Sequence, residues 1–226
     1  MALSLYYHPL SSCCWKVLIA LYELGAAFEP RLLNLGDPEE RKNFLALWPT
    51  GKMPLLLDGS HVVPETSIII EHLSHHHRGG ASPLVPADPE ASLEVRLMDR
   101  LLDLYVMTPM QAIVADRLRD EADRDPIGVS NARGTLAMAY GLLEQKLEGR
   151  AWMAGDSFSL ADCAAAPSLF YATTLVPLQA EHRRLGGYLE RVLQRPSVAR
   201  VLEEAQPFFQ YYPYREALPA RYQPAT

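Results

Sequence analysis

The stretch ALSLYYHPLSSCCWKVLIALYEL, residues 2–24, changes its pattern halfway along. Residues 2–7 are a short apolar and aromatic run ended by His8-Pro9, which reads as a strand. Apolar residues then recur at 15, 17, 18, 21 and 24, which is helical spacing. Ser11 and Ser12 both suit an N-cap, and Gly25 suits a stop. Outward from this β-α start, residues 27–33 read as a second strand. Asp37-Pro38-Glu39-Glu40 then opens a helix running to about Leu47, with Asp as cap, Pro at the first position and acids in the first turn. Met53 to Leu57 and His61 to Val63 flank Asp58-Gly59, which predicts a hairpin. Pro64-Glu65-Thr66 leads into the helical run SIIIEHLSHHH. The predicted order is β-α-β-α-β-β-α within about the first 78 residues.

Residues 78–89 hold Gly, Pro, Ser and Asp and read as a linker. Beyond them strand signals vanish. Residues 89–121 form one long helical pattern in which Leu93, Leu97, Leu101, Leu104 and Tyr105 share a face. Further helices fit 129–148, 160–175, 182–194 and 197–205. The tail, 207–226, is rich in Pro, Tyr and Phe and is expected to lack regular structure. The fold class is therefore α/β followed by all-α. The divisions are 1–80, a linker at 81–88, a helical part at 89–206, and the tail.

The composition sets limits on function. The chain has 226 residues, 49% hydrophobic and 21% charged, the balance of a folded globular protein. Its formal net charge is -6, with no basic cluster, which argues against nucleic acid. No apolar stretch reaches the roughly 18 residues a membrane span needs. No signal peptide is visible. Three cysteines, two of them adjacent, make no disulfide framework. A reduced, cytoplasmic protein is expected. His72, His75, His76 and His77 have zinc-ligand spacing. No Cys or second histidine cluster completes such a set, so a solvated helix end is expected and no metal is assigned.

Four local motifs, in order, resemble the cytosolic glutathione transferases over nearly the whole chain. Ser11-Ser12-Cys13-Cys14-Trp15-Lys16-Val17 is similar to the Ser-Ser-Cys-x-Trp-Arg-Val opening of the zeta class. Pro49-Thr50-Gly51-Lys52-Met53-Pro54 resembles the family's Pro-x-Gly-Lys-Val-Pro turn. Glu65-Thr66 stands where the family has Glu-Ser. Gly155-Asp156-Ser157-Phe158-Ser159-Leu160-Ala161-Asp162 is close to its C-terminal capping motif, read here as structural only. The resemblance implies a thioredoxin-like glutathione-binding domain followed by a helical bundle.

It also implies roles. A free thiol has a pKa near 8.5, so a thiolate at neutral pH needs a hydrogen-bond donor and positive potential beside it. Ser11, five residues before Lys16, is the first choice for that hydroxyl, as in the serine-type classes. Ser12 would take the role if the loop shifted by one, and Cys13 would be a nucleophile or mixed-disulfide partner. Tyr6 and Tyr7 lie in the strand and are read as core or pairing residues. Met53-Pro54 would be cis, with the Met53 backbone pairing with glutathione like an added strand. Lys52 would meet the glycyl carboxylate. Thr66 and the helix amides would hold the γ-glutamyl carboxylate, and Glu65 its ammonium. Leu10, Trp15, Tyr105, Thr108 and Met110 are candidates for a second-substrate pocket. Thr108-Pro109 should kink the long helix beside it, and the aromatic tail would be a lid or pack on the helices or a partner subunit.

The implied reaction is attack of the glutathione thiolate, as co-substrate, on a small hydrophobic electrophile. Glutathione-dependent cis-trans isomerisation of the maleylacetoacetate isomerase kind is the alternative, and a non-catalytic binding module on the same fold a third. A homodimer is expected from the family.

Overall fold

The computed structural model describes residues 3–223. Strand β1 (Leu3–Tyr7) leads into α1 (Ser12–Leu24), which ends at Gly25 with φ 62°. That left-handed conformation is costly for residues bearing a Cβ. Next come β2 (Phe28–Leu32), α2 (Pro38–Leu47), β3 (Leu55–Asp58), β4 (His61–Val63) and α3 (Thr66–His76). The sheet order is β2-β1-β3-β4, with β1 parallel to β2 and antiparallel to β3. Leu5 lies opposite Leu56, and Asp58 lies opposite His61 across the hairpin.

Alternate residues of a strand face opposite ways. Leu3 and Leu5 point into the main core with α1 and α3. Tyr6 packs on a smaller core of Leu33, Phe44 and Leu55, against α2. The Asp37 carboxylate accepts from the amides of Glu39 and Glu40, both at 2.9 Å, and so caps α2.

The helical part comprises α4 (Pro89–Leu102), α5 (Thr108–Arg117), α6 (Pro126–Lys146), α7 (Leu160–Leu175), α8 (Arg183–Leu193) and α9 (Pro196–Ala205). Helix α7 is buried almost throughout, and its Ala164, Ala165 and Ala166 admit close neighbours. It packs against both α1 and α4. At its start the Asp162 carboxylate accepts from the Ser159 amide (2.9 Å), the Met153 amide (2.8 Å) and the Tyr188 hydroxyl (2.7 Å).

Two expectations are corrected. The 89–121 pattern is not one helix: a π-helical turn, Asp103–Met107, separates α4 from α5. Pro109 has no amide to donate, while the Thr108 amide reaches back five residues to the Asp103 carbonyl. The face that the leucines of this pattern share lies mostly outward. Leu93, Leu97, Leu104 and Tyr105 are exposed, while Val95, Met98, Leu102 and Val106 are buried. Finally, the tail is ordered through Gln223. It forms 3-10 turns at Gln206–Tyr211, Arg215–Ala217 and Ala220–Tyr222. Phe209 is fully buried, stacked on Phe170 at 5.8 Å. Residues 224–226 of the expected tail lie outside the described residues, as does Ala2 of the expected first strand.

Candidate active site

Ser11 is the N-cap of α1. Its Oγ accepts from the Cys14 amide at 3.3 Å, so the hydroxyl hydrogen is free to point outward. The first amides of a helix have no partner within it and carry the positive end of the helix dipole. Ser11 lines two cavities at once, and Gln111 and Ala115 line both with it.

The larger cavity, about 640 Å³, is walled by Cys13, Lys52, Met53, Pro54, Glu65 and Thr66, with Asp103 and Thr108 opposite. The Met53-Pro54 bond is cis. Glu65 precedes α3 with φ 67°, and no side chain caps that helix. A bulky residue in the left-handed region is strained, and such strain persists where the surroundings enforce it. It leaves the amino end of α3 open beside the cavity, a ready anion site.

Behind this wall lies a buried charge cluster. Lys16, 1% exposed, sits 2.6 Å from Asp99 Oδ1 and 3.0 Å from Asp103 Oδ2. It also donates to Ser67 Oγ at 3.0 Å, and the Ser67 hydroxyl donates to Asp99 at 2.6 Å. Burial alone would lower the Lys16 ammonium, but the two carboxylates outweigh it and hold the pKa up. One cation facing two acids cannot neutralise both. Burial therefore pushes the Asp103 carboxyl up, with Lys16 only partly offsetting it. The cluster joins α1, α3 and the α4–α5 junction, and so fixes the two walls of the cavity relative to one another.

The smaller cavity, about 340 Å³, is lined by Leu10, Ser12, Met110, Val114, Tyr171 and Tyr212 among others. The Tyr171 hydroxyl is buried and has no hydrogen-bond partner among the described residues. Of the expected pocket residues, Leu10 and Met110 line this cavity and Thr108 the larger one. Trp15 does not belong to a pocket wall. It is fully buried, its indole N–H donates to the Pro9 carbonyl, and Phe170 and Tyr171 pack on it at 5.2 and 5.1 Å. Tyr105 is exposed with Leu93, Leu97 and Leu104, on the face of the helix that the core does not cover.

Ser12 is the first helical residue and its side chain is buried. Gln111 Nε2 donates to Ser12 Oγ at 3.4 Å and lies 3.2 Å from Cys13 Sγ. Burial pushes the Cys13 thiol up, only partly offset by Gln111 and Lys16, which disfavours a thiolate there. Cys14 is fully buried and pushed up to about 12. Gln111 and Asp103 were missed in the sequence. Asp99 and Asp103, one turn apart in an apolar run, were the available signal for an internal ion pair, and Gln111 had none.

Two family models match the chain, described as glutathione S-transferase N-terminal domain over residues 5–81 and C-terminal domain over residues 101–196. Glutathione S-transferase 1 of Dianthus caryophyllus is 30% identical over 178 residues, 76% of this chain and 78% of that protein. A glutathione S-transferase crystal structure from Methylobacillus flagellatus with GSH bound has a TM-score of 0.81 at 25% identity, covering 88% and 98% of the two chains. One from Methylobacterium radiotolerans in complex with glutathione sulfonate has a TM-score of 0.77 at 28% identity, covering 89% and 94%.

Proposed function

The chain belongs to the glutathione S-transferase family and is a glutathione transferase, and on that premise we propose that Ser11 activates the glutathione sulfur where the two cavities meet. The observation that carries this is the place of Ser11: N-cap of α1, hydroxyl hydrogen free, in the wall of both spaces. The glutathione-bound neighbours support filling the larger cavity with the tripeptide. Its γ-glutamyl carboxylate then sits at the open end of α3 with Thr66, and its ammonium meets Glu65, with Asp103 across the cavity. Lys52 faces the glycyl carboxylate, and the Met53 backbone pairs with the cysteinyl segment.

Sulfur placed beside Ser11 receives a hydrogen bond and the potential of the α1 amides. Both favour the thiolate and lower its pKa. The electrophile occupies the smaller cavity against Leu10, Met110 and Val114, with the Tyr171 hydroxyl as a donor for a polar group on it. A carbon–sulfur bond forms, and the leaving group departs with the displaced electron pair. Positioning and thiolate stabilisation supply most of the rate gain. The class is serine-type on this reading, with a zeta-like opening at residues 11–15. That opening favours a second reaction, in which sulfur adds to a conjugated double bond, lets it rotate and leaves. Turnover of maleylacetoacetate beside a chloro-nitroaromatic substrate separates the two. Activity towards either that is unchanged in Ser11→Ala removes Ser11 from the mechanism.

We further propose a homodimer. Leu93 and Leu97, one turn apart on α4, are 60% and 44% exposed, and Leu104 and Tyr105 extend the apolar surface. Among the described residues no helix is long and apolar enough to cross a membrane.

A further inference from the structure

At the far end of α3 from the glutathione cavity, three donor atoms converge. His72 Nε2 lies 3.0 Å and His77 Nε2 2.7 Å from the same atom, Asp58 Oδ2, and the three residues' ligand atoms all lie within 4.8 Å of one another. The expected solvated helix end is therefore only partly right. His75 and His76 are exposed, but the His72, His77 and Asp58 side chains are 17%, 24% and 17% exposed. Periodicity along the helix could not show this, because Asp58 arrives from the end of β3. His77 is the C-cap of α3, with φ −133°, and its departure from the helix turns its ring back beside His72. His61 stands directly across the β3–β4 pair from Asp58, its ring 5.8 Å from that of His72.

We propose that Asp58, His72 and His77 form a binding site for a divalent cation of the zinc type, with His61 as the fourth ligand. Imidazole and carboxylate together suit Zn²⁺, whose bonds to them are about 2.0–2.2 Å. Tetrahedral bonds of that length set neighbouring donors about 3.4 Å apart, so Asp58 Oδ2 draws back from both rings by about half an ångström to admit the ion, within reach of side-chain rotation at a partly open surface. The two hydrogen bonds keep the donors facing one another, since Asp58 accepts from both rings. Metal binding displaces the ring protons from those two nitrogens. The ion ties the β3–β4 hairpin to the carboxyl end of α3. Helix α3 has 11 residues, about 16 Å of rise, so the ion stands far from Thr66 and touches no reacting atom. Its role is structural.

The test is calorimetric titration of ZnCl₂ into the untagged full-length protein, with thermal unfolding measured in parallel. The expected result is one ion per chain. At zinc a hundredfold above its Kd, Tm rises by roughly 5–10 °C and EDTA reverses the rise. His72→Ala/His77→Ala should weaken binding at least ~10-fold, and Asp58→Asn should also weaken it. His75→Ala, which removes an exposed neighbour, should bind like the parent. Transferase activity without zinc serves as the folding check on each variant. Co²⁺ in the parent should give the visible absorption of a four-coordinate nitrogen–oxygen site. Absence of saturable zinc binding in the parent overturns the proposal. So does binding that survives the double variant, or that is lost only with His75→Ala.

Discussion

Replacing Ser11 with alanine removes two interactions. The cap on the Cys14 amide is lost, which costs about 1 kcal/mol of stability. The donor to sulfur is lost as well, and removing one such donor lowers kcat by roughly 10²-fold or more. The sign in pH follows. Without the hydroxyl the bound thiol's pKa rises, so the rising limb of the pH–rate profile moves to higher pH. Ser11→Thr keeps the hydroxyl and should restore most of the rate. Steady-state kinetics across pH with both variants checks this. Glu65 offers a second residue-scale prediction. At φ 67° the native residue carries strain of about 1–3 kcal/mol, against an entropic cost of roughly 0.5–1 kcal/mol for glycine. Glu65→Gly should therefore raise Tm by about 2–4 °C. It should also raise KM for glutathione by roughly ten- to a hundredfold, because a charge-assisted hydrogen bond to the ammonium is gone. A lower Tm with unchanged KM would refute both the strain and the role.

At the scale of elements, helix α8 has no cap of its own. Glu144, from α6, supplies one: its carboxylate accepts from the amides of Leu185 at 2.8 Å and Arg184 at 3.0 Å. Burial pushes the Glu144 carboxyl up, but those amides and the Arg184 charge outweigh it and hold the pKa below the ordinary value. A carboxyl lowered on folding adds stability above its unfolded pKa, near 4.3, and loses it as pH falls through the folded value. Glu144→Gln should cost about 0.5–2 kcal/mol at neutral pH, with the difference shrinking in acid. Urea unfolding at pH 7 and pH 3.5 measures it, and a constant difference would show that the charge is irrelevant. The element most misread from sequence was the long helix after the linker. Leucines at 93, 97, 101 and 104 make one uninterrupted apolar row, whereas the opposite row of Val95, Met98, Leu102 and Val106 also contains Asp99. Periodicity places a charged residue outside. Here Asp99 is 2% exposed and held by Lys16 and Ser67, partners from α1 and α3 that no local pattern includes.

Over the whole molecule, the Lys16 cluster and the leucines of α4 divide the labour of assembly. The cluster joins the sheet-bearing part to the helices from within. A buried pair deprived of one partner costs about 3–5 kcal/mol, so this junction resists rearrangement. The exposed leucines face outward and serve the proposed dimer. Leu97→Glu should give a monomer in sedimentation velocity and leave the Lys16 cluster intact. A dimer of unchanged stability would place the interface elsewhere. The aromatic tail closes the molecule from the other side. Phe209 packs on Phe170 and Trp15, and Tyr211, Tyr212 and Pro213 finish the wall of the smaller cavity.

Local signals determined much of this protein. An N-cap at Ser11 or Ser12, the αL stop at Gly25, the Asp37-Pro38 start, the Asp58-Gly59 turn and the helix at 160–175 all depend on contacts within a few residues. For that reason they were legible from the chain alone, and so were the motifs that placed Ser11, Lys52, Met53-Pro54 and Glu65-Thr66. Tertiary structure alone decided which face of α4 is buried, that Trp15 is core, that Gln111 and Asp103 join the cavity walls, and that Asp58 meets two histidines. Each of these depends on a partner tens of residues away. The stability of a buried charge or ring is set by what surrounds it in space, and separation along the chain carries no record of that.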